Sequence, residues 1–431
     1  MQSVSDTGCE RGVALLIVLV VLFIVAVLML DITLTATTAR RAAANASSDF
    51  LMDAAIESRF QVALAQLRFD LGANKIDSPD DRWAREEFTT FENRKTEEEK
   101  RADAAREEET GAKSLGDSDE VDVVVTIEDE DRKFNLNLLK HPDAKKAEEA
   151  RKQFVALLDR FREDTPLDLS RTRAEELCEV IVKHMERTQP GETDSGHVPV
   201  PNSKPWMLLT PDELRLVAAL KDDSHGLGPE GILYDARDPE EVRNYMLEPE
   251  GREPPEAYPG LLKYVTLWSG RAWIDPPTAE NAEKWKQINF NTAEKPVIEM
   301  LFSANTTDMA AAEKIIEFRG TAKEGSPAEG EVPENDEPLA EHQYFENYAA
   351  LERVPDLPKT LLDNYKIAEY AKFASETFSI KIVAKHEGAT KQVRFVVWRH
   401  SAGFKTLLRE ERADPTFEEE EPEEGEEAAP R

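Results

Sequence analysis

The longest apolar run of the chain lies close to its first residue. Val13 to Leu30 are eighteen consecutive apolar residues. At a rise of about 1.5 Å per residue, such a helix extends about 27 Å, close to the thickness of a bilayer's hydrocarbon core. No small-x-small site for signal peptidase follows it. The pattern predicts a transmembrane helix over residues 13–33, and Arg11 and Arg40 on its two sides leave the orientation open.

The helical pattern continues after this run but becomes amphipathic. Apolar residues recur at spacings of three and four, with charged residues between them: Met52, Ile56, Phe60, Leu64, Leu67 and Leu71. One apolar stripe on a polar helix is typical of a helix that packs against a domain. We predict that the long helix continues over residues 34–94. An amphipathic segment leading from a membrane into any other ectodomain would have the same period.

A strand pattern follows a charged segment. Residues 95–120 contain almost no large apolar side chain, which predicts a flexible loop or an exposed extension of the helix. The β-branched residues between Val121 and Ile127 predict a strand. Four acidic residues, 128–131, come next, and the segment Phe-Asn-Leu-Asn at 134–137 follows them.

Helical periodicity dominates the middle of the chain. Residues 143–221 contain apolar faces at helical spacing, and Thr210-Pro211 is a typical helix start. A second Asn-x-Asn segment, Ile-Asn-Phe-Asn-Thr-Ala at 288–293, precedes two further helical patterns. Because Asn and Thr side chains accept hydrogen bonds from the free N–H groups of a first helical turn, we predict structural caps at Asn289, Asn291 and Thr292.

The C-terminal part of the chain has two strand patterns. Phe373 to Val383 and Lys391 to Arg399 flank a polar turn around Gly388, which predicts a hairpin. Residues 321–340 form an acidic linker before it. The acidic tract that ends the chain predicts a disordered tail.

Charge and composition exclude several functions. The chain has 87 acidic residues against 54 Lys and Arg, so it would repel phosphate backbones, and we expect no nucleic-acid partner. Its two cysteines cannot form a disulfide framework. The seven histidines contain no i,i+4 pair, and no HExxH, GxSxG, P-loop or CxxC motif is present. We predict no catalytic residue, no enzymatic activity and no required cofactor.

The N-terminus resembles a class III signal, the substrate of prepilin peptidase. A short polar leader ends at Gly12, and an apolar helix begins at once with Val13. The resemblance implies cleavage between Gly12 and Val13 and N-methylation of Val13. The fifth mature residue of most pilins and pseudopilins is Glu, but here it is Ile17. The minor pseudopilin K of the type II secretion system lacks this Glu, and its mature start is similar to this one.

Other segments resemble the same family, the general secretion pathway protein K family. These are the strand with its acidic turn and Asn-x-Asn, the stretch from Pro205 to Leu214, the Ile-Asn-x-Asn-Thr-Ala element and the last strands. One segment departs from the family pattern. Where the family has an acidic-aromatic motif with calcium ligands, this chain has Lys183 to Arg187 and a loop.

The resemblance implies an α+β fold, with a pilin-like long N-terminal helix, a small antiparallel sheet and a large inserted α-helical domain. It implies a noncatalytic tip subunit of the type II secretion pseudopilus, which supports export of folded proteins across the outer membrane. The implied partners are other minor pseudopilins at the tip, the major pseudopilin, prepilin peptidase and the inner membrane, with the C-terminal ectodomain in the periplasm. The alternative is a single-pass membrane protein with an unprocessed signal anchor and a ligand- or protein-binding ectodomain.

With this resemblance the chain divides into nine segments. They are a leader 1–12, a transmembrane helix 13–33, its amphipathic continuation 34–94, a charged loop 95–120, a first pilin-like strand region 121–142, an inserted helical domain 143–320, an acidic linker 321–340, a closing pilin-like strand region 341–405 and a disordered tail 406–431.

A structural calcium site is a further expectation, since heads of this family resemble calcium-binding proteins. The candidate ligands are Asp129 and Asp131, which fall on the same side of an extended chain, with Glu192 and Asp194 in a later loop. No EF-hand spacing accompanies them. Ordinary solvated carboxylates remain the alternative.

Overall fold

The computed structural model of the chain describes residues 8–73, 75–85, 90–91, 121–186, 208, 210–217, 228–247, 254–271, 283–302, 306–321, 342–386 and 388–412. Within these residues a long N-terminal helix packs on an antiparallel sheet, and a largely helical insert interrupts that sheet. The predicted α+β fold class is confirmed.

The helices and strands follow one another in this order: α1 (Gly8–Ala73), β1 (Thr90–Phe91), β2 (Asp122–Asp129), β3 (Phe134–Asn135), α2 (Ala144–Arg160), α3 (Arg171–Glu186), α4 (Gly228–Leu233), β4 (Ala236–Arg237), α5 (Pro239–Leu247), β5 (Ala257–Tyr258), β6 (Val265–Thr266), β7 (Ile288–Asn289), α6 (Lys295–Glu299), α7 (Thr306–Arg319), α8 (Tyr348–Leu351), α9 (Lys359–Asn364), α10 (Ile367–Tyr370), β8 (Ala371–Lys372), β9 (Thr377–His386), β10 (Ala389–His400) and β11 (Gly403–Arg412). Short 3-10 helices lie between them, including Glu130–Arg132, Leu136–Lys140 and Pro211–Leu216.

Helix α1 is one continuous element of 66 residues. Its apolar first part is long and apolar enough to cross a membrane, and residues 19–47 are exposed along the whole helix surface. The prediction that the helix continues to residue 94 is wrong, because it ends at Ala73. The chain then turns: Asp77 N donates to the distant Phe373 O at 2.9 Å, and Ser78 N donates to Asp81 Oδ2 within the turn.

The second part of α1 packs on the sheet. The buried side chains of the helix are Met52, Ile56, Phe60, Ala63 and Leu67. Phe60 stacks on Phe395 of β10 with the ring centroids 4.0 Å apart. The predicted apolar stripe is therefore the core-facing stripe of this helix, although Leu71 is exposed.

Polar contacts fasten α1 to the sheet at both ends of this stripe. At the N-terminal end of the stripe, Ser48 Oγ lies 2.8 Å from His386 Nδ1, and Lys391 Nζ lies 2.7 Å from Asp49. At its C-terminal end, Arg399 Nη1 lies 3.2 Å from Asp70. Since His386 ends β9 and Arg399 lies near the end of β10, the helix runs along the length of these strands.

The five strands of the sheet have the order β1-β2-β9-β10-β11, and each described pair is antiparallel. The predicted boundary between the closing region and the tail, at residue 405, is wrong. The segment 406–412, assigned to a disordered tail, continues β11, and Val393 of β10 pairs with Glu411. Gly403, at a φ of 140°, allows the turn between these strands. Residues 413–431 lie outside the described residues.

The insert occupies residues 130–376, between the end of β2 and the start of β9. These ends are adjacent, since Asp129 pairs with Phe378. The predicted boundary between insert and closing region, at residues 320 and 341, is therefore too early. Helices α8, α9 and α10 belong to the insert core, where Leu351 and Leu362 are fully buried. The predicted linker 321–340 and loop 95–120 lie outside the described residues, apart from Thr321.

Two halves of the insert share one arrangement. Each begins with a short strand and an Asn-x-Asn turn, continues through helices, and closes with a strand parallel to the first. Phe134 and Asn135 pair with Val265 and Thr266, and Ile288 and Asn289 pair with Ala371 and Lys372. The two Asn-x-Asn segments are thus equivalent turns of two similar substructures.

Candidate functional site: the polar junction

Buried polar side chains join α1, the sheet and the insert at a single place. We call this cluster the polar junction and define it by Asp70, Asp77, Asp129, Asp131, Asn289, Thr292, Ser375 and Arg399. All eight are less than one tenth exposed. Each buried polar atom here requires a partner, because an unsatisfied buried donor or acceptor costs about 1–3 kcal/mol.

Asp129 connects the end of β2 to the insert. Its Oδ1 accepts the backbone N–H of Asp131 at 2.8 Å. Its Oδ2 accepts hydrogen bonds from Ser375 Oγ at 2.6 Å, Thr292 Oγ1 at 2.5 Å and Asn289 Nδ2 at 3.1 Å. Two segments distant in sequence, residues 289–292 and Ser375, therefore converge on one carboxylate.

Asp131 links the start of β9 to the insert. Its Oδ2 accepts the backbone N–H groups of Glu376 and Thr377 at 2.7 and 3.2 Å, and it forms an ion pair with Lys372. Its Oδ1 accepts the N–H of Gly270 at 3.3 Å. Gly270 has a φ of 65° and lies against the backbone of a neighbouring segment, so a side chain there would clash.

Arg399 provides the positive charge for the acidic residues in the last turns of α1 and just after it. Its Nη2 lies 2.6 Å from Asp77 Oδ2 and donates to Ser375 O at 2.8 Å. Its Nη1 lies 3.2 Å from Asp70. The guanidinium therefore joins the end of α1, the turn that follows the helix and the β8–β9 connection.

Burial and mutual repulsion change the titration of two of these acids. Burial, together with Asp81 and Asp77, raises the pKa of Asp70 to about 7, although Arg399 acts in the opposite direction. Burial and the neighbouring Asp131 raise the pKa of Asp129 to about 6, against the hydrogen bonds it accepts. The junction thus holds carboxyl groups that titrate near neutral pH.

Glu130 makes a separate bridge between sheet and insert. Its carboxylate accepts from Thr266 Oγ1 at 2.5 Å and pairs with Arg394 of β10 at 2.9 Å and Lys133 at 3.3 Å. Burial alone would raise the pKa of Glu130, but Lys133 and Arg394 outweigh it and lower the pKa. This acid therefore stays ionised beside its two cations.

The predicted helix caps have a different role. The N-cap residue of α6 is Glu294, which makes no side-chain cap, so the assignment of Asn289, Asn291 and Thr292 as caps is wrong. Asn289 Oδ1 accepts the N–H of Asn291 at 3.0 Å. Asn291 in turn accepts Phe345 N at 2.8 Å and donates to Phe345 O at 3.0 Å. The three side chains bind distant segments instead of the next helix.

The first Asn-x-Asn turn has the same internal geometry. Asn135 Oδ1 accepts the N–H of Asn137 at 3.0 Å. Asn135 donates to Ser269 O at 3.0 Å, and Asn137 accepts Leu208 N at 3.1 Å. Its partners are backbone groups of the insert.

Two of the four predicted calcium ligands, Asp129 and Asp131, are bound to protein groups. The hydrogen bonds and the ion pair described above already engage the oxygens of Asp129 and Asp131. Glu192 and Asp194 lie outside the described residues, and calcium binding stays a prediction. Carboxylate oxygens of Asp70, Asp77 and Asp81 lie within 4.8 Å of one another, but Arg399 supplies a positive charge there.

No local sequence pattern marks Asp77, Ser375 or Arg399 as site residues. Each lies in a turn or at a strand end, without a motif around it. The recurrence of Asn-x-Asn was the available signal, since it marks two equivalent turns with polar surroundings. The predicted leader positions Gly12, Val13 and Ile17 fall within α1, and cleavage and methylation stay predictions.

No protein-family model and no curated protein sequence matches the chain. Among solved structures it is similar to a chain of "The Crystal Structure of the GspK-GspI-GspJ complex from enterotoxigenic Escherichia coli Type 2 Secretion System". The TM-score is 0.46 and the sequence identity is 16%, over 84% of this chain and 96% of that chain.

Proposed function

We propose that this protein is a noncatalytic tip subunit of a type II secretion pseudopilus. In this role the apolar part of α1 anchors the chain in the inner membrane, and the ectodomain lies in the periplasm. The leader is removed by prepilin peptidase between Gly12 and Val13. The subunit then assembles with other minor pseudopilins and the major pseudopilin, and it supports export of folded proteins across the outer membrane.

One observation carries the proposal: the insert is attached at the end of α1 that lies farthest from the apolar segment. Asp70, in the last turns of the helix, is linked through Arg399 and Asp77 to the junction that holds the insert. A filament of such subunits grows by packing apolar helices along one axis. A bulky domain at the distal end of the helix blocks addition of another subunit above it, and it leaves addition below it possible.

The N-terminus of the membrane form tests the processing step. We expect the intact mass to correspond to a chain that starts at methylated Val13, and Gly12→Leu should retain Met1 and abolish secretion. Gly8→Leu, a change in the same leader but four residues before the cleavage site, is the matched control and should be processed normally. Normal processing and secretion of Gly12→Leu would contradict the proposal and favour the unprocessed signal anchor.

The position at Ile17 tests the tip assignment. In other pseudopilins the Glu at this position is thought to pair with the N-terminal amine of a neighbouring subunit, and a subunit with nothing above it has no such charge to satisfy. Ile17→Glu would place an acid in an apolar environment at a cost of about a few kcal/mol. We expect impaired placement at the tip with an unchanged head, measured by secretion and by thermal unfolding. Secretion equal to the parent would remove this support.

A further inference from the structure

A single acidic residue interrupts the uncharged part of α1. Between Gly12 and Ala39 the only charged residue is Asp31. This segment extends about 42 Å as a helix, which exceeds the hydrocarbon thickness of about 30 Å. Asp31 lies about 27 Å above Val13 and about 13 Å below Arg40. It therefore lies at the outer boundary of the apolar layer if Val13 marks the inner surface, and well inside it if Arg40 marks the outer surface.

The residues around Asp31 supply no partner for its carboxylate. Side chains of residues 19–47 are exposed, and the carboxylate of Asp31 makes no hydrogen bond or ion pair with another described residue. The neighbouring threonines are satisfied locally, since Thr33 Oγ1 donates to Met29 O at 2.7 Å and Thr38 Oγ1 donates to Leu34 O at 3.0 Å. Between Gly12 and Ala39, Asp31 is thus the one charged side chain, and its partner has to come from outside the described part of the chain.

We infer that Asp31 is a recognition site for a neighbouring apolar helix that carries a Lys or Arg at the same depth. A carboxylate in a helix bundle that excludes water is costly unless it is paired with a cation. Contact between two apolar helices has little specificity of its own in lipid, where the tails are as apolar as the side chains. The ion pair would therefore select the partner and fix the axial register of the two helices. This inference rests on the proposed function, because it requires the helix to pack beside other subunits.

Co-purification of the full chain with pseudopilins from membranes, in mild detergent, tests the inference. We expect Asp31→Asn and Asp31→Leu to reduce the recovered complex by about tenfold or more, since about 1.4 kcal/mol corresponds to a factor of ten. Asp31→Glu should retain it. Thr33→Leu removes a polar side chain two residues away, one already bonded within the helix, and should leave the complex unchanged.

Two results would overturn the inference while leaving the proposed function intact: full recovery of the complex with Asp31→Leu, or a recovered partner whose helix has no Lys or Arg within about two turns of this depth. Asp31→Lys should lose the complex, and an acid in place of the partner's basic residue should restore it. Failure of the parent chain to recover any pseudopilin would overturn the proposed function and this inference together. Membrane extraction of Asp31→Leu, which is more apolar, should show normal insertion in every case.

Discussion

The two Asn-x-Asn turns have the same local geometry and different surroundings. In each, the first Asn accepts the N–H of the second at 3.0 Å, and the second Asn holds the backbone of a segment later in the same half. The side-chain amide of Asn135 reaches Ser269 O within the insert. The amide of Asn289 reaches Asp77 O, Asp129 Oδ2 and Ser375 Oγ.

The comparison shows how one motif can serve two purposes. In the first half the turn closes a substructure with neutral backbone partners. In the second half it attaches the insert to the sheet and to the end of α1 through buried charges. Since hydrogen bonds to charged groups contribute more than neutral ones, about 1.5–3 against 0.5–1.5 kcal/mol, the second turn is the stronger connection.

The largest effect should come from removing the cation beside the second turn. Arg399→Met leaves Asp77 buried without its guanidinium, and loss of one partner of a buried pair costs about 3–5 kcal/mol. Denaturant unfolding of the full chain in detergent should show this loss. Arg409→Met is the matched control, because Arg409 is half exposed and lies 3.9 Å from Glu411, so a change of about 0.5 kcal/mol or less is expected. Equal effects would contradict the role of Arg399.

The next prediction compares the turns directly. Asn289→Ala and Asn135→Ala should each cost about 1–3 kcal/mol, since each leaves buried groups unsatisfied. Hydrogen exchange separates them. Asn289→Ala should increase exchange in the insert and also at residues 75–81 and 375–377, whereas Asn135→Ala should increase exchange at residues 265–271 alone. Identical exchange maps would show that the second turn does not hold the insert to α1.

The pH dependence of stability should report the acids of the second turn. Asp70 has an ordinary pKa of 3.8 and a folded pKa of about 7, so between these values the folded chain binds more protons than the unfolded chain. Its contribution to stability is full below about pH 4 and is lost as the pH rises through about 7. Asp129, with a folded pKa of about 6, acts in the same direction.

Asp70→Asn should therefore remove the stability loss that Asp70 causes between about pH 4 and about pH 7. The variant should be more stable than the parent at pH 8, because the amide still accepts from Arg399 and carries no charge. Denaturant unfolding at pH 5, 6, 7 and 8 measures the difference. Parallel curves for parent and variant over this range would rule out Asp70 as the titrating group.

The smallest effects concern two helix starts, one in each half of the insert. Each follows the backbone segment that the second Asn of the turn binds. Thr210 lies two residues after Leu208 and makes a capping box with Glu213, and Asn347 lies two residues after Phe345 and accepts Ala350 N at 3.2 Å. Ala at either cap should cost about 0.5–2 kcal/mol, and Asn347→Ser should retain most of the stability. A large effect at one cap and none at the other would show that the two halves are less similar than their turns.

The sequence predicts the large elements well because their signal is local. Helix α1, strand β2 and the helices of the insert each repeat a hydrophobic period over many residues. The end of α1 does have a local signal, because Gly72 and Asn74, residue types that are common at helix C-termini, follow the last position of the apolar stripe. Strand β11 ends in four consecutive charged residues, 409–412, shortly before the acidic tract, so the composition of its second half resembles a solvated tail.

The polar junction could not be predicted, because its contacts are made between residues far apart in the chain. Thr292 is adjacent to helix α6, and a cap is the natural local interpretation, yet its hydroxyl binds Asp129. The acidic run 128–131 likewise suggests a cation site. In the fold its members point to different partners, and backbone N–H groups, Lys372 and Arg394 take the place of an ion.

The two fastenings of α1 to the sheet determine how the protein would respond to a mechanical load. Ser48 and Asp70 mark contacts that are about 33 Å apart along the helix, and β9 and β10 run beside the helix over that distance. A pull along the helix axis acts parallel to these strands, so both fastenings and the apolar stripe between them resist it together in shear. A pull on the insert acts instead on two neighbouring strand ends, which separate one contact at a time. The contacts between α1 and the sheet should therefore withstand an axial load, whereas a load on the insert should detach the insert from the sheet at a lower force.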